Sequence, residues 1–432
     1  MGFILTIIAF NFIIIIHELG HFLVARYNGI KVLEFSLFVG PKLWSIKRGE
    51  TEYSLRLIPV LAYVKMEGEE ESSDDENAFS NKSVWVRMAV VAAGPLANLL
   101  SALLILVLIF SLKEYKTTKI ASIDNNSPAY TAKLEVGDEI ISYNGKRVYF
   151  PMDLVQFFYV DEGKAADLVV LRNGKKEKIA FPKLDINEDR YMLGFEALEV
   201  SGKDSTVVKS VTSGYPASEA GILPNDRVIA LNDVKVYSIK DIIKYTEENK
   251  GQEIKVTLDR GGKEIQVSLK PKILKNQPSI NLGIEFSENK GNIVDSFKYS
   301  MKYIWANVRN VVYSIKWLVS GKVSISKMSG PVGIVTSMND AASLGSNASE
   351  KIFSLLNMTA FISVAIGATN LIPFPALDGN KLLLLLIEVF RKKPISPEKE
   401  SKISMVGLVA LLILALITTS NDIIRLIQRI RG

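Results

Sequence analysis

The chain has 432 residues, of which 48% are hydrophobic and 23% are charged. A mean hydropathy of +0.19 beside so many charges excludes a disordered chain and indicates apolar membrane segments joined to charged modules. Lys and Arg outnumber Asp and Glu by 52 to 46 without an Arg-rich stripe, which favours membrane flanks over a nucleic-acid partner. The absence of cysteine excludes disulfides, Cys-ligated zinc, iron–sulfur clusters and a thiol nucleophile.

Four stretches are long and apolar enough to cross a membrane as helices of about 20 residues. They cover residues 3–24, 88–112, 352–377 and 403–420. The first stretch has neither a basic region before it nor a small-residue cleavage site after it, so we interpret it as a retained helix rather than a signal peptide.

The distribution of basic residues predicts the orientation. Residues 25–87 and the loop between the third and fourth stretches are rich in Lys and Arg, so the positive-inside rule places both in the cytoplasm and residues 113–351 outside. Three arginines near the C-terminus weakly oppose this orientation. We interpret the acidic run Glu67–Glu76 as a solvated linker.

Residues 113–290 contain an internal repeat with a constant offset of 88 residues. The matching segments are Ser127-Pro128-Ala129 with Tyr215-Pro216-Ala217, Gly137–Ile141 with Asn225–Ile229, and Asn144-Gly145 with Asn232-Asp233. Each copy mixes short alternating strands with Gly/Asn turns and a short helix. This pattern predicts two α+β modules of roughly 90 residues, at 113–197 and 198–290.

The two copies resemble PDZ domains. Each ends in a triplet similar to the PDZ carboxylate-binding loop, placed last as in circularly permuted bacterial versions; the triplets are Leu193, Gly194 and Phe195, and Leu282, Gly283 and Ile284. The resemblance implies that these turns offer N–H groups to a peptide C-terminus beside an edge strand. Two structural spacers are the alternative, and the second copy departs from the PDZ pattern at Asn225 and Asp233.

An amphipathic helix is predicted over residues 293–319, within a linker region spanning 291–351. Tyr and Trp residues alternate there with Lys and Arg. This composition is typical of a helix lying at the outer membrane–water interface. Packing against the second repeat is the alternative.

The two histidines of the chain, His17 and His21, both lie in the first apolar stretch. Residues four apart share a helix face, so both imidazoles can reach one ion, and Glu18 can reach a water bound to it. This H-E-x-x-H pattern is typical of zinc hydrolases. A packing role is a poor explanation, because a charged residue in a membrane helix costs roughly 2.5–3.5 kcal/mol. His17 lies about 21 Å along the helix from residue 3, which predicts an intramembrane site toward the cytoplasm.

A catalytic zinc needs a third protein ligand and one open position. Because no other His and no Cys is present, that ligand must be an oxygen. Asp378 is the strongest candidate, since Pro373 and Pro375 break the third stretch just before it, and freed backbone at membrane depth is tolerated only where it lines protein or a wet cavity. The alternative is an Asp that only caps a helix over 380–390.

Together these motifs resemble the bacterial site-two proteases, the intramembrane zinc metalloproteases of regulated intramembrane proteolysis, in their two-PDZ form. The resemblance covers nearly the whole chain and rests on the segments 17–21, 56–59, 63–68, 92–98, 329–334 and 370–379. It implies one zinc per chain on His17, His21 and Asp378, catalysis by Glu18, and substrate positioning by Asn370.

The expected fold is a polytopic α-helical membrane protein with four transmembrane helices, a membrane-associated β-hairpin and two inserted α+β PDZ-like domains. The segment with Tyr53, Leu55 and Leu57 alternates in polarity, and Pro59 follows as on an edge strand. It predicts a cytoplasmic-side hairpin that pairs with unwound substrate by strand addition. The family's usual Leu-Gly-Gly is replaced by Val-Leu-Ala at residues 60–62.

The family resemblance also implies substrates and partners. These are single-pass transmembrane proteins such as anti-sigma factors, and remnant signal peptides, trimmed beforehand by an upstream site-one type protease. The tandem PDZ modules would exclude bulky outer domains, and the enzyme would lie among the lipids of the bacterial inner membrane, without a nucleic-acid partner. Two alternatives stay open: a non-catalytic membrane adaptor, and a zinc protease limited to clearing signal peptides.

Overall fold

The computed structural model describes residues 2–69, 71, 73–200, 203–212, 214–278, 280–343 and 348–431. The chain divides into two units. The membrane unit comprises residues 1–115 and 288–431, and the inserted unit comprises residues 116–287.

Helices form most of the membrane unit. The α-helices of the described chain are α1 (Gly2–Tyr27), α2 (Val84–Leu112), α3 (Pro128–Thr131), α4 (Pro151–Val160), α5 (Pro216–Glu219), α6 (Ile239–Glu248), α7 (Ile293–Val319), α8 (Pro331–Ser343), α9 (Ala348–Asn370), α10 (Asp378–Arg391) and α11 (Pro397–Arg431). Parts of α1, α2, α9 and α11 are long and apolar enough to cross a membrane, so the four predicted stretches are confirmed as helices of spanning length and composition. The third predicted span, α9, ends at Asn370 rather than Leu377, because Pro373 and Pro375 cannot continue the helix.

Small residues bring the membrane helices close together around α2. A Cβ atom on Gly20 of α1 would lie 2.4 Å from the carbonyl oxygen of Ala93 in α2. A Cβ atom on Gly367 of α9 would lie 2.9 Å from the carbonyl oxygen of Pro95. Both glycines therefore permit backbone contacts that a side chain would prevent, which is typical of membrane helix packing.

The helix expected over 293–319 is α7, and it packs against α2 and α9 within the membrane unit. The rings of Tyr299 and Tyr303 lie 4.8 and 6.0 Å from that of Phe110 in α2. Trp305 remains exposed. A location at the membrane–water interface stays a prediction.

The hairpin between α1 and α2 is a small sheet of four segments formed by β1 (Val32–Arg48) and β2 (Thr51–Met66). The segments lie across this sheet in the order 62–66, 32–37, 51–56 and 42–48. Left-handed backbone at Phe38, Gly40 and Leu61, with φ of 71°, 89° and 65°, lets each strand fold back on itself. As a result, 51–56 is an inner segment and 62–66 is an edge.

The inserted unit contains two mixed modules. Its strands are β3 (Tyr115–Ile123), β4 (Glu139–Tyr143), β5 (Lys146–Arg147), β6 (Ala166–Arg172), β7 (Lys175–Phe181), β8 (Asn187–Met192), β9 (Phe195–Val200), β10 (Lys203–Val211), β11 (Arg227–Leu231), β12 (Val234–Lys235), β13 (Ile254–Arg260), β14 (Lys263–Leu269), β15 (Lys272–Pro278) and β16 (Ile284–Asn289). One sheet has the order β16-β3-β4-β6-β7, with β5 on β4. The other has the order β14-β13-β11-β10-β9, with β12 on β11. Strands β8 and β15 form a separate two-stranded sheet.

The second module therefore lies within the chain of the first, which corrects the contiguous modules expected at 113–197 and 198–290. Leu282, Gly283 and Ile284 were expected to end the second module. Instead, the carbonyl oxygens of Leu282 and Gly283 accept hydrogen bonds from the backbone N–H groups of Ala129 and Asp124, at 3.2 and 3.0 Å. These bonds hold the triplet in the first module, whose sheet β16 completes.

The other triplet changes module in the same way. The carbonyl oxygens of Leu193 and Gly194 accept hydrogen bonds from the N–H groups of Ala217 and Thr212, at 2.9 and 2.8 Å. Phe195 then begins β9, the edge strand of the second sheet. Each triplet thus precedes an edge strand, as the PDZ resemblance requires, but belongs to the opposite copy.

An ion pair between a partly exposed arginine and a buried aspartate, which sequence analysis missed, recurs in both modules. Arg172 donates to both carboxylate oxygens of Asp138, at 2.8 and 2.7 Å. Arg260 donates in the same way to Asp226, at 2.7 Å to each oxygen. The two arginines have the same offset of 88 as the repeat, which is the signal that would have found them. The hydrogen bonds from Arg260 lower the pKa of Asp226 despite its burial.

Asp226→Asn is expected to reduce the free energy of unfolding of the inserted unit by about 1.5–3 kcal/mol at neutral pH, the contribution of hydrogen bonds to a charged group. Because the folded pKa of Asp226 is lowered, its contribution is present above the unfolded value of about 3.9 and is lost as the pH falls through the folded value. The difference from wild type should therefore shrink below about pH 4. Urea titrations of the full chain followed by circular dichroism would measure it.

The matched control for that experiment is Asp233→Asn, because Asp233 is exposed on a turn of the same module. Its effect is expected to be small at every pH. A difference between Asp226→Asn and wild type that stayed constant into the acid range would contradict the assigned role of the charge.

Candidate active site

The side chains of His17 and His21 project from one face of α1 toward Asp378 at the start of α10. The two Nε2 atoms lie 3.2 Å apart. Oδ2 of Asp378 lies 3.1 Å from Nε2 of His17 and 3.6 Å from Nε2 of His21. The structure thus brings the three proposed ligands together, although the first and the last are 361 positions apart in the sequence.

The three ligand atoms are spaced as a zinc ion requires. Zinc binds nitrogen and oxygen at about 2.0–2.2 Å in a tetrahedron, so two such ligands lie about 3.3 Å apart. The observed separations of 3.1, 3.2 and 3.6 Å bracket this value. Oδ2 of Asp378 is also buried, and within the described chain no donor meets it in hydrogen-bonding geometry. These residues fit a zinc ion.

The protonation of His21 is settled by its other ring nitrogen. Nδ1 lies 2.9 Å from the backbone carbonyl oxygen of Val90 in α2. A carbonyl only accepts, so Nδ1 carries the proton and Nε2 is left with a lone pair for a metal. A Cβ atom on Gly94 would lie 2.2 Å from that Nε2, so α2 approaches the ring only because residue 94 is glycine.

The carboxylate of Glu18 lies next to the hairpin. Its Oε2 accepts a hydrogen bond of 3.1 Å from the backbone N–H of Val64, on the edge segment of β2. Sequence analysis placed Glu18 near the metal but gave no signal for this contact. The proposed catalytic residue Glu18 and the edge segment of the hairpin are therefore adjacent.

Asp378 does not act as a helix cap. The N-cap position of α10 is Leu377, and Asp378 is the first residue of the helix. Its carboxylate is directed at the histidines instead. Gly379 allows the tight break before α10, because a Cβ atom there would lie 2.3 Å from the carbonyl oxygen of Ile372.

A cavity of about 300 Å³ contains these groups. It is lined by His17, Glu18, His21, Val64, Met66, Glu69, Val90, Val91, Asn370, Ala376, Asp378 and Lys381. Asn370, proposed to position substrate, therefore faces the same space as the ligands.

Part of the acidic run forms a wall of this cavity, which corrects its interpretation as a solvated linker. Glu69 pairs with Lys381 of α10 at 3.1 Å, one turn beyond Asp378. The backbone N–H of Phe79 donates to the carbonyl of Glu67, and Lys31 pairs with Asp75, which holds the run against the turn that joins α1 to β1. Composition alone could not indicate these specific partners.

The hairpin residues proposed to pair with substrate lie elsewhere than expected. Tyr53 registers with Phe35 on one side and Ile46 on the other, and Leu55 has two partners in the same way. Their backbone is therefore already paired and offers no free edge, while Leu57 is exposed beyond this segment. The free edge expected at Tyr53 and Leu55 is therefore wrong, because the chain continues past a bend that the sequence does not mark. Substrate binding at Leu57 stays a prediction.

The site combines an H-E-x-x-H helix of membrane-spanning length with a third ligand, an oxygen donor, at a helix break, and a glutamate lies beside them. This combination defines a membrane-embedded metalloprotease. The comparison of the chain with family models agrees. The chain belongs to peptidase family M50, whose model matches residues 5–414. It is accordingly an enzyme, a multi-pass zinc metalloprotease of the site-two type.

Curated relatives match almost from end to end. A putative zinc metalloprotease of Clostridium acetobutylicum is 29% identical over 423 residues, covering 98% of this chain and 97% of the relative. The regulator of sigma-W protease RasP of Bacillus subtilis is 29% identical over 436 residues, covering 97% of each. Among solved structures, the HtrA3 PDZ domain bound to a phage-derived ligand matches 21% of this chain and 92% of its own, at 13% identity and a TM-score of 0.19.

Proposed function

We propose that the enzyme cleaves single-pass transmembrane proteins, such as membrane-bound anti-sigma factors, and remnant signal peptides. The observation that carries the proposal is the convergence of His17, His21, Asp378 and Glu18 on one cavity beside a membrane-spanning helix. The name of the Bacillus subtilis relative supports the signalling substrates. In this proposal the first three residues hold zinc, Glu18 is the catalytic base and Asn370 positions the substrate.

The residues of the cavity divide the work of peptide hydrolysis. Zinc, when bound, supplies acidity to a water molecule and positive charge to stabilise an oxyanion. Glu18 accepts a proton from the water as its oxygen bonds to the peptide carbonyl carbon, and returns it to the nitrogen as the C–N bond breaks. Asn370 faces the same space and offers an amide to the polypeptide backbone of the substrate.

A transmembrane helix must unwind before it can be cut, and we infer that the edge segment 62–66 receives it. Val64 directs its N–H away from β1 toward Glu18, and Ala62 faces the same way because strand residues alternate. Strand addition at this edge would lay an extended substrate alongside Glu18. The carbonyl of an incoming strand would then compete with Glu18 for the N–H of Val64.

The inserted unit is proposed to act as a size filter on the outer side of the bacterial inner membrane, with the active site toward the cytoplasm. The Lys- and Arg-rich loops that follow the first and third spans, both assigned to the cytoplasm, support this orientation. An upstream site-one type protease would trim the substrate first. The edge strands β9 and β16 follow the two Leu-Gly turns and provide a place for peptide ends. In the first module, the N–H of Gly283 already donates to Asn281 at 2.9 Å, so a peptide would have to displace that side chain.

Deleting residues 116–287 is expected to permit cleavage of a reporter that keeps its bulky outer domain. The deletion can be closed by a short Gly/Ser linker, because Thr117 donates to the carbonyl of Ser287 at 3.1 Å and the chain therefore enters and leaves the unit at adjacent points. Wild type should cleave only the trimmed reporter, and the deletion variant should cleave both. Gel analysis of the two reporters in membranes would measure this.

Each outcome of the deletion experiment is informative. If the variant kept the wild-type preference for trimmed reporter, the filter would be excluded while the protease assignment stood. If wild type failed to cleave even the trimmed reporter, the proposed substrate class would be wrong.

A further inference from the structure

Asn98 of α2 is a fully buried polar residue beside the metal ligands, with 0% exposure. Its Nδ2 lies 3.3 Å from Nδ1 of His17. Its Oδ1 is buried, and no donor among the described residues reaches it. In this orientation an amide nitrogen faces a ring nitrogen while the amide oxygen has no partner.

The direction in which His17 faces determines where its proton lies. Nε2 of His17 is the atom close to Asp378 and to His21, so Nε2 is the atom that would bind zinc. The proton must then be on Nδ1, which needs an acceptor. Rotating the amide of Asn98 by 180° exchanges its oxygen and nitrogen, which are nearly identical in size and shape, so the assignment follows from the hydrogen-bond partners. That rotation supplies the acceptor at about the same distance and gives the buried oxygen its donor.

We propose that the amide oxygen of Asn98 accepts a hydrogen bond from the Nδ1–H of His17 and thereby fixes the tautomer and ring orientation of this zinc ligand. It is a positioning residue, since it acts through His17. The inference rests on the proposed zinc ligands. His21 already has an equivalent acceptor on α2, the carbonyl oxygen of Val90 at 2.9 Å. Both histidines of α1 are then oriented by the same neighbouring helix.

The backbone that presents Asn98 is held by two serines. Ser101 and Ser363 each donate to the carbonyl oxygen of Asn98 at 2.9 Å, and their hydroxyls lie 3.1 Å apart. Ser363 belongs to α9, so this bond ties α9 to α2 at the level of Asn98.

The competing explanation is that Asn98 merely joins helices, as buried amides in membrane proteins often do. Asn11 of α1 is an example within this chain. It is 6% exposed, and its Nδ2 donates to the carbonyls of Ile7 and Pro59 at 2.9 and 3.0 Å. Asn11 makes no described contact with a metal ligand, so it provides a matched control.

The test compares zinc affinity, measured by chelator competition on the full chain in detergent, for Asn98→Leu, Asn98→Asp and Asn11→Leu. Asn98→Leu removes the acceptor at similar size and is expected to weaken zinc binding about 10- to 100-fold. Asn98→Asp keeps an acceptor and should retain wild-type affinity or exceed it. Asn11→Leu should leave affinity unchanged. Asn98→Ala carries the same expectation as Asn98→Leu should the larger side chain prevent folding.

Wild-type affinity in Asn98→Leu or Asn98→Ala would overturn the proposal. Equal losses in the Asp and Leu variants would do the same, because a space-filling role does not distinguish an acceptor. His17→Ala separates this question from the ligand assignment. If it lost zinc while Asn98→Leu kept it, only the positioning role would fail; if it bound zinc as wild type does, the proposed ligand set itself would fail.

Discussion

Glu18→Gln is expected to retain one zinc per chain and to lower the rate of cleavage of a trimmed single-pass reporter by about 10²–10⁴-fold, the usual contribution of a general base. The amide has the shape of the carboxylate and can still accept a hydrogen bond from the N–H of Val64. It cannot take a proton from water. Zinc content by elemental analysis and cleavage in reconstituted vesicles should be measured on the same preparation.

Glu69→Gln is the matched control, because Glu69 lines the same cavity but its carboxylate is engaged in an ion pair with Lys381 and has no proposed part in catalysis. It should keep most of the activity. Full cleavage by Glu18→Gln would remove Glu18 from the mechanism. Loss of zinc in that variant would show instead that Glu18 supports the metal site. A loss of cleavage in Glu69→Gln as large as in Glu18→Gln would show that the negative charge of the cavity, rather than a general base, is what cleavage requires.

The grouping of the three proposed metal ligands was predictable because their chemistry leaves few alternatives. Two histidines at helical spacing inside an apolar stretch have no inexpensive structural explanation, and the absence of cysteine leaves oxygen for the third ligand. Asp378 stands out because two prolines precede it. By contrast, the contact of His21 with the carbonyl of Val90 and the ion pair of Glu69 with Lys381 were not predictable. They depend on which neighbouring helix packs against α1 and which loop packs against α10, and the residue types alone do not encode this packing.

The nested modules show a different limit of sequence reasoning. The offset of 88 identifies the repeat and its turns, yet each Leu-Gly triplet stands at the end of a copy in the sequence and can pair with either module. Tertiary hydrogen bonds decide the question, since Leu282 and Leu193 bond to Ala129 and Ala217, which are themselves 88 residues apart. Knowing which residues repeat therefore did not reveal the order in which the strands pair.

The hairpin was misread for a local reason. Alternating polarity correctly predicted strands around Tyr53, but a strand pattern does not distinguish an inner segment from an edge. The outcome depends on bends at Phe38 and Leu61, whose φ angles of 71° and 65° are rare for such residues. Glycine at position 61, as in the family pattern, would have made that bend visible.

Val64→Pro is expected to lower cleavage of the trimmed reporter about 10- to 100-fold, since a hydrogen bond to a charged or reacting group contributes about 1.5–3 kcal/mol. The substitution removes the one N–H that serves both Glu18 and an added substrate strand. Proline is tolerated on an edge whose N–H faces away from the sheet, so the hairpin and the zinc content should survive.

Val64→Thr, which keeps the N–H, is the matched control and should cleave normally. Tyr63→Pro removes an N–H directed at β1 and should disrupt the hairpin itself, which would be visible as increased proteolysis between α1 and α2. Wild-type cleavage by Val64→Pro would exclude this edge as the place where substrate is held.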